Sequence, residues 1–165
     1  MVAAAGNPQD ELREQLAQAG KALEESPLTE TIDKCVVVAM ESVAENFDSS
    51  ATAGGQAWAE RKYLGDGHPL LIDTGRMGSA ALGPNVGLST LARPNGEGQG
   101  EHIREIEGRE ATVGLRTPYA QYHMDGTSRM PARPFFEVDG EAADKMADVV
   151  ADDCLKLVSD ILGAT

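Results

Sequence analysis

Three residues carry side chains that suit metal-dependent hydrolysis, namely His68, Asp73 and His123. Two imidazoles and a carboxylate are common ligands of a catalytic metal. The histidines do not form an i, i+4 pair, and neither belongs to a motif such as His-Glu-x-x-His. These groups, or His123 with Asp125, would bind a metal only if the fold brought them together. The alternative is structural: His68 lies in a loop and His123 hydrogen-bonds the backbone.

A second possible catalytic element is the triplet Asp73-Thr74-Gly75, which matches the active-site triplet of aspartic proteases. One triplet is insufficient, because that chemistry needs a twin triplet and a glycine-rich flap. A structural role is favoured, in which Asp73 or Thr74 caps the following helix and Gly75 eases its first turn. The chain contains no Walker A motif, dinucleotide fingerprint or nucleophile elbow. We therefore predict no enzymatic activity, no cofactor and no metal.

Charge is concentrated at the two ends of the 165-residue chain. Residues 1–50 hold 10 acids and 3 bases, residues 51–135 hold 9 of each, and residues 136–165 hold 8 acids and 2 bases. Clustered acids disfavour a nucleic-acid grip, which needs Lys and Arg. They indicate either solvated helix faces or a match to a basic neighbour in an assembly. No apolar run is long enough to predict a membrane span.

Periodicity predicts the elements that would position these groups. Helices are expected after Asn7-Pro8 and again after Ser26-Pro27, with the single Trp58 on a short helix over 56–64. Another short helix covers 76–82, and Asp139 caps a last helix that ends at Gly163. Strands are expected over 85–91, 101–107 and 109–117, with a hairpin loop over 93–100.

The predicted fold is α+β, a small antiparallel meander packed by N-terminal and C-terminal helices. We divide its single domain into an acidic N-terminal helical segment, 1–50, and an α+β core, 51–165. Apolar stripes at helical spacing mark the long helices. They comprise Leu12, Leu16, Ala19 and Leu23; Ile32, Val36, Met40, Val43 and Phe47; and Met146, Val150, Cys154, Leu157 and Ile161.

Both cysteines, Cys35 and Cys154, fall on apolar helix faces. Free cysteine packs as a small hydrophobic residue, which is the role predicted for both. A disulfide would require the two helices to lie side by side, and nothing in the sequence indicates an oxidising compartment.

The segment from Tyr119 to Phe136 concentrates aromatic residues in a chain otherwise poor in them. Pro131 and Pro134 hold the backbone extended and remove two amide donors, which favours an ordered connector. Phe135 and Phe136 are expected to anchor the last helix, with at least one of them buried in the core. Arg133 is expected to pair with an acid or with helix C-terminal carbonyls, and the alternative is an exposed arginine.

Read together, these segments resemble the phage virion morphogenesis family, which includes the phage Mu G-type protein and the phage P2 tail completion protein. The resemblance covers about residues 40–165. It departs at Met124, where a glutamine is usual, at the 93–100 insertion and in the acidic N-terminal helices. The matching positions are Phe47, Trp58, Arg61, Lys62, Leu70, Leu71, Asp73, Thr74, Gly75, Arg76, Met77, Ser79, Val113, Gly114, Leu115, Tyr119, Ala120, His123, Gly126, Pro131, Ala132, Arg133, Pro134 and Phe135.

The resemblance implies a structural virion protein of the neck or tail-completion layer, with a fold similar to tail terminators. Such proteins form homo-oligomeric rings, commonly sixfold, that join or close the tail at its head-proximal end. The implied partners are neighbouring neck, tail tube or terminator proteins, with DNA passing through the ring but no specific nucleic-acid binding. Assembly would take place in the host cytoplasm. The rival hypotheses are a metal-dependent hydrolase using His68, Asp73 and His123, and an acidic interaction module.

Overall fold

Helices from both ends of the chain pack on one another beside a two-stranded antiparallel hairpin, which confirms the predicted α+β fold. The computed structural model describes residues 7–60, 70–71, 76–83 and 101–163. The predicted strand at 85–91 and the loop at 93–100 lie outside these residues. The described elements are α1 (Pro8–Glu25), α2 (Thr29–Ser49), α3 (Arg76–Leu82), β1 (Glu101–Glu107), β2 (Glu110–Arg116), α4 (Ala120–Asp125) and α5 (Gly140–Gly163).

Helix α1 begins as its sequence predicts, because the Asn7 side chain accepts a hydrogen bond from the Gln9 amide and Pro8 occupies the first turn. Its last turn has no basic residue of its own. Arg109, in the hairpin turn, supplies the missing cation. Its guanidinium donates to the carbonyls of Leu23, Glu24 (3.0 Å) and Ser26 (3.1 Å). The hairpin tip therefore caps the carbonyl end of α1 and fixes the position of both.

The predicted apolar face of α1 is covered over only half of its length. Ala19 is buried and Leu23 is partly buried. Leu16 and Leu12, one and two turns nearer the N-terminus on the same stripe, remain 53% and 52% exposed. The contacts of α1 with α5 therefore bury only the C-terminal part of the stripe.

Helices α2 and α5 run antiparallel and are joined by polar contacts near both ends. At one end the Asp153 carboxylate accepts hydrogen bonds from Thr31 (2.8 Å) and Lys34 (2.8 Å). At the other, the Asp139 amide donates to Ser42 Oγ, and the Asp139 carboxylate caps α5 through the Ala142 amide at 2.6 Å. These contacts fix the axial register of the two helices, and Asp139 is the cap that the sequence predicts.

The predicted stripe of α2 forms the centre of the core, where Val36, Met40, Val43 and Phe47 are all buried. It packs against α3, whose Ala80 and Ala81 are fully buried, and against the inner face of the hairpin. Strand β1 has its predicted bounds, and β2 differs from its predicted bounds by one residue at each end. Gly108 lies in the turn between them, with a φ of 59°. None of the helices that the structure describes is both long and apolar enough to cross a membrane.

Two local predictions differ from the structure. Residues 56–60 are extended rather than helical, because Ala57 forms a β-bridge with Ala51 and the Trp58 amide donates to the Ser50 carbonyl at 2.8 Å. Residues 61–64 of that predicted helix lie outside the described residues. Conversely, residues 120–125 form α4, where the sequence predicts no helix.

Candidate functional site

The aromatic residues meet at the connector between α4 and α5. Phe135 is fully buried and lies 5.3 Å from Phe47, ring centroid to centroid, while Trp58 meets Phe47 edge-on at 6.1 Å. The Trp58 indole N–H donates to the Pro134 carbonyl at 3.0 Å. The expectation that a phenylalanine of this pair anchors the last helix is confirmed, since Phe135 is in the core and Phe136 packs half-buried beside it.

Arg133 is buried in this joint, with only 6% of its surface exposed. Its Nε donates to the Ala59 carbonyl at 2.9 Å and its Nη2 to the Glu60 carbonyl at 3.2 Å. Its backbone amide donates to the His123 carbonyl at 2.6 Å. Arg133 is therefore paired, but these two acceptors are backbone carbonyls of a non-helical segment and not the predicted acid or helix C-terminal carbonyls. The alternative of an exposed arginine is wrong.

Two groups outside the connector satisfy its backbone. The buried Asn46 amide donates to the carbonyls of Phe135 (3.2 Å) and Glu137 (2.9 Å). The Met124 sulfur accepts the amides of Phe135 and Phe136 at 3.3 and 3.4 Å. A side chain of α4 thus accepts two backbone donors of the connector.

Gly126 allows the connector to fold back on α4. Its φ is 73°, and a Cβ placed there would lie 2.7 Å from the Ala132 nitrogen. Any larger residue would force the Pro131–Pro134 segment away, since both the backbone angle and the close approach favour glycine. Pro131 and Pro134 lie on either side of Arg133 in the chain and restrict its backbone. Pro131 is exposed and Pro134 is partly buried.

His123 lies against this joint without completing its hydrogen bonds. Its ring meets Tyr119 edge-on at 6.1 Å. Among the residues that the structure describes, its buried Nδ1 has no hydrogen-bond partner, and the same holds for the Thr117 hydroxyl. Burial, and secondarily the positive charge of Arg133, lower the pKa of His123 below its ordinary value.

Acidification should therefore destabilise the protein through His123. Because its pKa is lower in the folded chain than in the unfolded chain, the unfolded state binds the extra proton as pH falls through about 6.5. Stability contributed by the neutral ring is present above that pH and is lost below it. We expect His123→Gln to flatten this part of the curve of unfolding free energy against pH, measured by denaturant titration. An unchanged slope would contradict this assignment.

The other residues proposed for catalysis, His68 and Asp73, belong to segments outside the described residues. Thr74, Gly75, Arg61 and Lys62 also lie outside them. Within the part of the chain that is described, no three His, Cys, Asp or Glu residues are grouped so as to hold a metal ion. His102, the third histidine, hydrogen-bonds the Ala80 carbonyl through Nδ1 at 3.0 Å.

Both cysteines are free and half-buried, although α2 and α5 do pack side by side. The Cys35 thiol points to the Met146 carbonyl at 3.7 Å. Burial, followed by the nearby Asp153 carboxylate, raises the pKa of Cys35, which keeps the thiol protonated and poorly nucleophilic. A packing role is consistent with this environment.

An open groove of about 560 Å³ borders the joint on the side of β2. Its walls are mainly apolar and come from the end of β2, from α4 and from the phenylalanine pair. The lining includes Leu115, Thr117, Pro118, Met124 and Phe136, and among the described residues that line it only Arg116 is charged.

The fold and site define a small α+β protein with a rigid, hydrogen-bonded aromatic joint and an adjacent apolar groove. Comparisons with models of protein families, with curated proteins and with solved structures each found no match.

Proposed function

We propose that this chain is a non-enzymatic structural protein of the neck or tail-completion layer of a phage or tail-like particle, where it oligomerises into a ring. The observation that carries the proposal is the convergence of motif residues that are distant in sequence. Trp58, Arg133 and Phe135 belong to the series that resembles the virion morphogenesis family, and all three meet in one joint. A series that resembles a family and also serves one structural purpose is stronger support than scattered matches.

The joint is stiff, which is a property that a component of an assembled particle needs. Its backbone is stiffened by prolines, its amides and carbonyls are bonded to Asn46 and Met124, and its arginine bridges two chain segments. Homo-oligomeric rings require heterologous contacts, in which unlike surfaces of neighbouring copies meet and close. A rigid joint supports this role because it holds such surfaces at a constant angle. The acidic terminal helices offer a match to basic neighbours in the particle.

Deletion of the gene tests the proposal. In the phage or prophage that encodes the chain, we expect loss of the protein to leave heads and tails unjoined or tails of unfinished length in electron micrographs. Supply of the gene in trans should restore whole particles, and mass spectrometry of purified particles should detect the chain. Normal particles after deletion, or particles that lack the chain, would refute the proposal.

A further inference from the structure

The uncovered leucines of α1 form one half of a possible contact. Leu12 and Leu16 are four residues apart, so they project from the same side of the helix. They continue the stripe that is buried at Ala19, and each exposes about half of its surface. Single exposed leucines are ordinary, but an adjacent pair that extends a buried stripe is the arrangement of a helix that docks into a groove.

The groove beside β2 forms the other half. Leu115, Pro118, Met124 and Phe136 give it apolar walls, and its volume of about 560 Å³ lies within the usual range for binding sites. Helix packing places apolar side chains into apolar hollows of this kind. The groove and the leucine pair thus match in their apolar character.

The charges around the leucine pair and the groove indicate which partner fits them. Helix α1 holds five acids and two bases, whereas Arg116 is the one charged residue among the described residues that line the groove. Glu11 adjoins the leucine pair on α1, and Arg116 forms an exposed ion pair with Glu101, an interaction that exchanges at little cost. Two copies of α1 packed on each other would bring like charges together. An anionic membrane or a nucleic acid would be repelled by the acids that surround the leucines.

We propose that Leu12 and Leu16 of one copy dock into the β2 groove of a second copy of this chain. The contact joins unlike surfaces, so a joined pair of copies still has one free helix and one free groove, and association continues from copy to copy. It would supply the heterologous interface of the proposed ring, and it rests on that proposal only for its biological setting.

Two variants that each remove one half of the contact provide the test. Leu12→Glu/Leu16→Glu disables the helix and leaves the groove intact, while Gln121→Trp fills the groove from an exposed position and leaves the helix intact. Light scattering after gel filtration, at micromolar to millimolar concentration, should show assemblies of the wild-type chain and only monomers of either variant. An equal mixture of the two variants should form dimers and nothing larger, because only one intact helix and one intact groove remain per pair.

Leu155→Glu is the matched control, since Leu155 is 67% exposed on the outer face of α5 and belongs to neither surface. It should assemble like the wild type, and all variants should melt near the wild-type temperature. A wild-type chain that stays monomeric, a groove-filled variant that still assembles, or a mixture that yields no dimer would overturn the inference. These outcomes do not depend on the result of the gene deletion. Particles can require the chain even if it does not self-associate through this contact. The chain can also self-associate through this contact even if particles lack it.

Discussion

Replacement of Phe135 by alanine should lower the free energy of unfolding by about 3 to 5 kcal/mol. The side chain is fully buried and touches Phe47, so truncation removes apolar contacts and leaves a cavity in the densest part of the core. The proline-held backbone on its N-terminal side limits how far the connector can collapse into that space. Denaturant titration followed by tryptophan fluorescence measures the change directly, because Trp58 lies in the same cluster.

Two neighbours serve as controls for this prediction. Phe136→Ala should cost less, because that ring is only partly buried. Tyr122→Ala, at an exposed position on α4, should change stability by less than about 0.5 kcal/mol. If Phe135→Ala and Phe136→Ala both unfold at the wild-type denaturant concentration, the connector does not anchor α5.

Replacement of Arg133 by alanine should lower the free energy of unfolding by about 2 kcal/mol, since two backbone carbonyls lose a charged donor. Ala59 and Glu60 are themselves exposed, so water can reach part of the vacated space and limit the loss. Arg133→Lys should also be impaired, because one ammonium group cannot reproduce the planar fork that reaches both carbonyls.

Salt separates this contact from a surface ion pair. The defect of Arg133→Ala should persist in high salt, where exposed pairs are already screened. Arg129→Ala, at an exposed position four residues earlier on the same connector, is the matched control and should unfold like the wild type. Equal stability of the Arg133 and Arg129 variants would show that the buried guanidinium does not hold the joint together.

The sequence predicted the long elements because each carries a repeated physical signal. The stripe of α2 recurs with helical spacing over five positions, and the Asn7 and Asp139 caps mark where helices start. Helix α4 was missed because six residues are too few to show a period, and its N-cap, Tyr119, offers no side-chain capping bond. Residues 56–60 were wrongly predicted as helical because the bridge at Ala57 and the hydrogen bond to Pro134 do not appear in local spacing.

The sequence pointed to the main residues of the joint, but not to the groups that they contact. Prolines on either side pointed to Arg133 as a fixed residue, and the following phenylalanine pair pointed to a core anchor; Phe135 is buried as expected. The carbonyls that Arg133 reaches lie over 70 residues away, and so do the groups bonded by Arg109 and Asn46. Such pairings cannot be predicted from local composition, because they form only when distant segments pack together.

The distances along the chain between these partners also determine when the core can be completed during synthesis. Trp58 bonds a carbonyl 76 residues later, Asn46 one 89 residues later, and Thr31 a carboxylate 122 residues later. As the ribosome releases α2, its apolar stripe lacks its covering surface; α3 and the hairpin arrive first, and the cover is completed only when the connector and α5 have emerged. Pairings of such long range also slow folding, because the entropy of closing large loops must be overcome first. The nascent α2 thus keeps part of its hydrophobic surface exposed until the connector and α5 have been made.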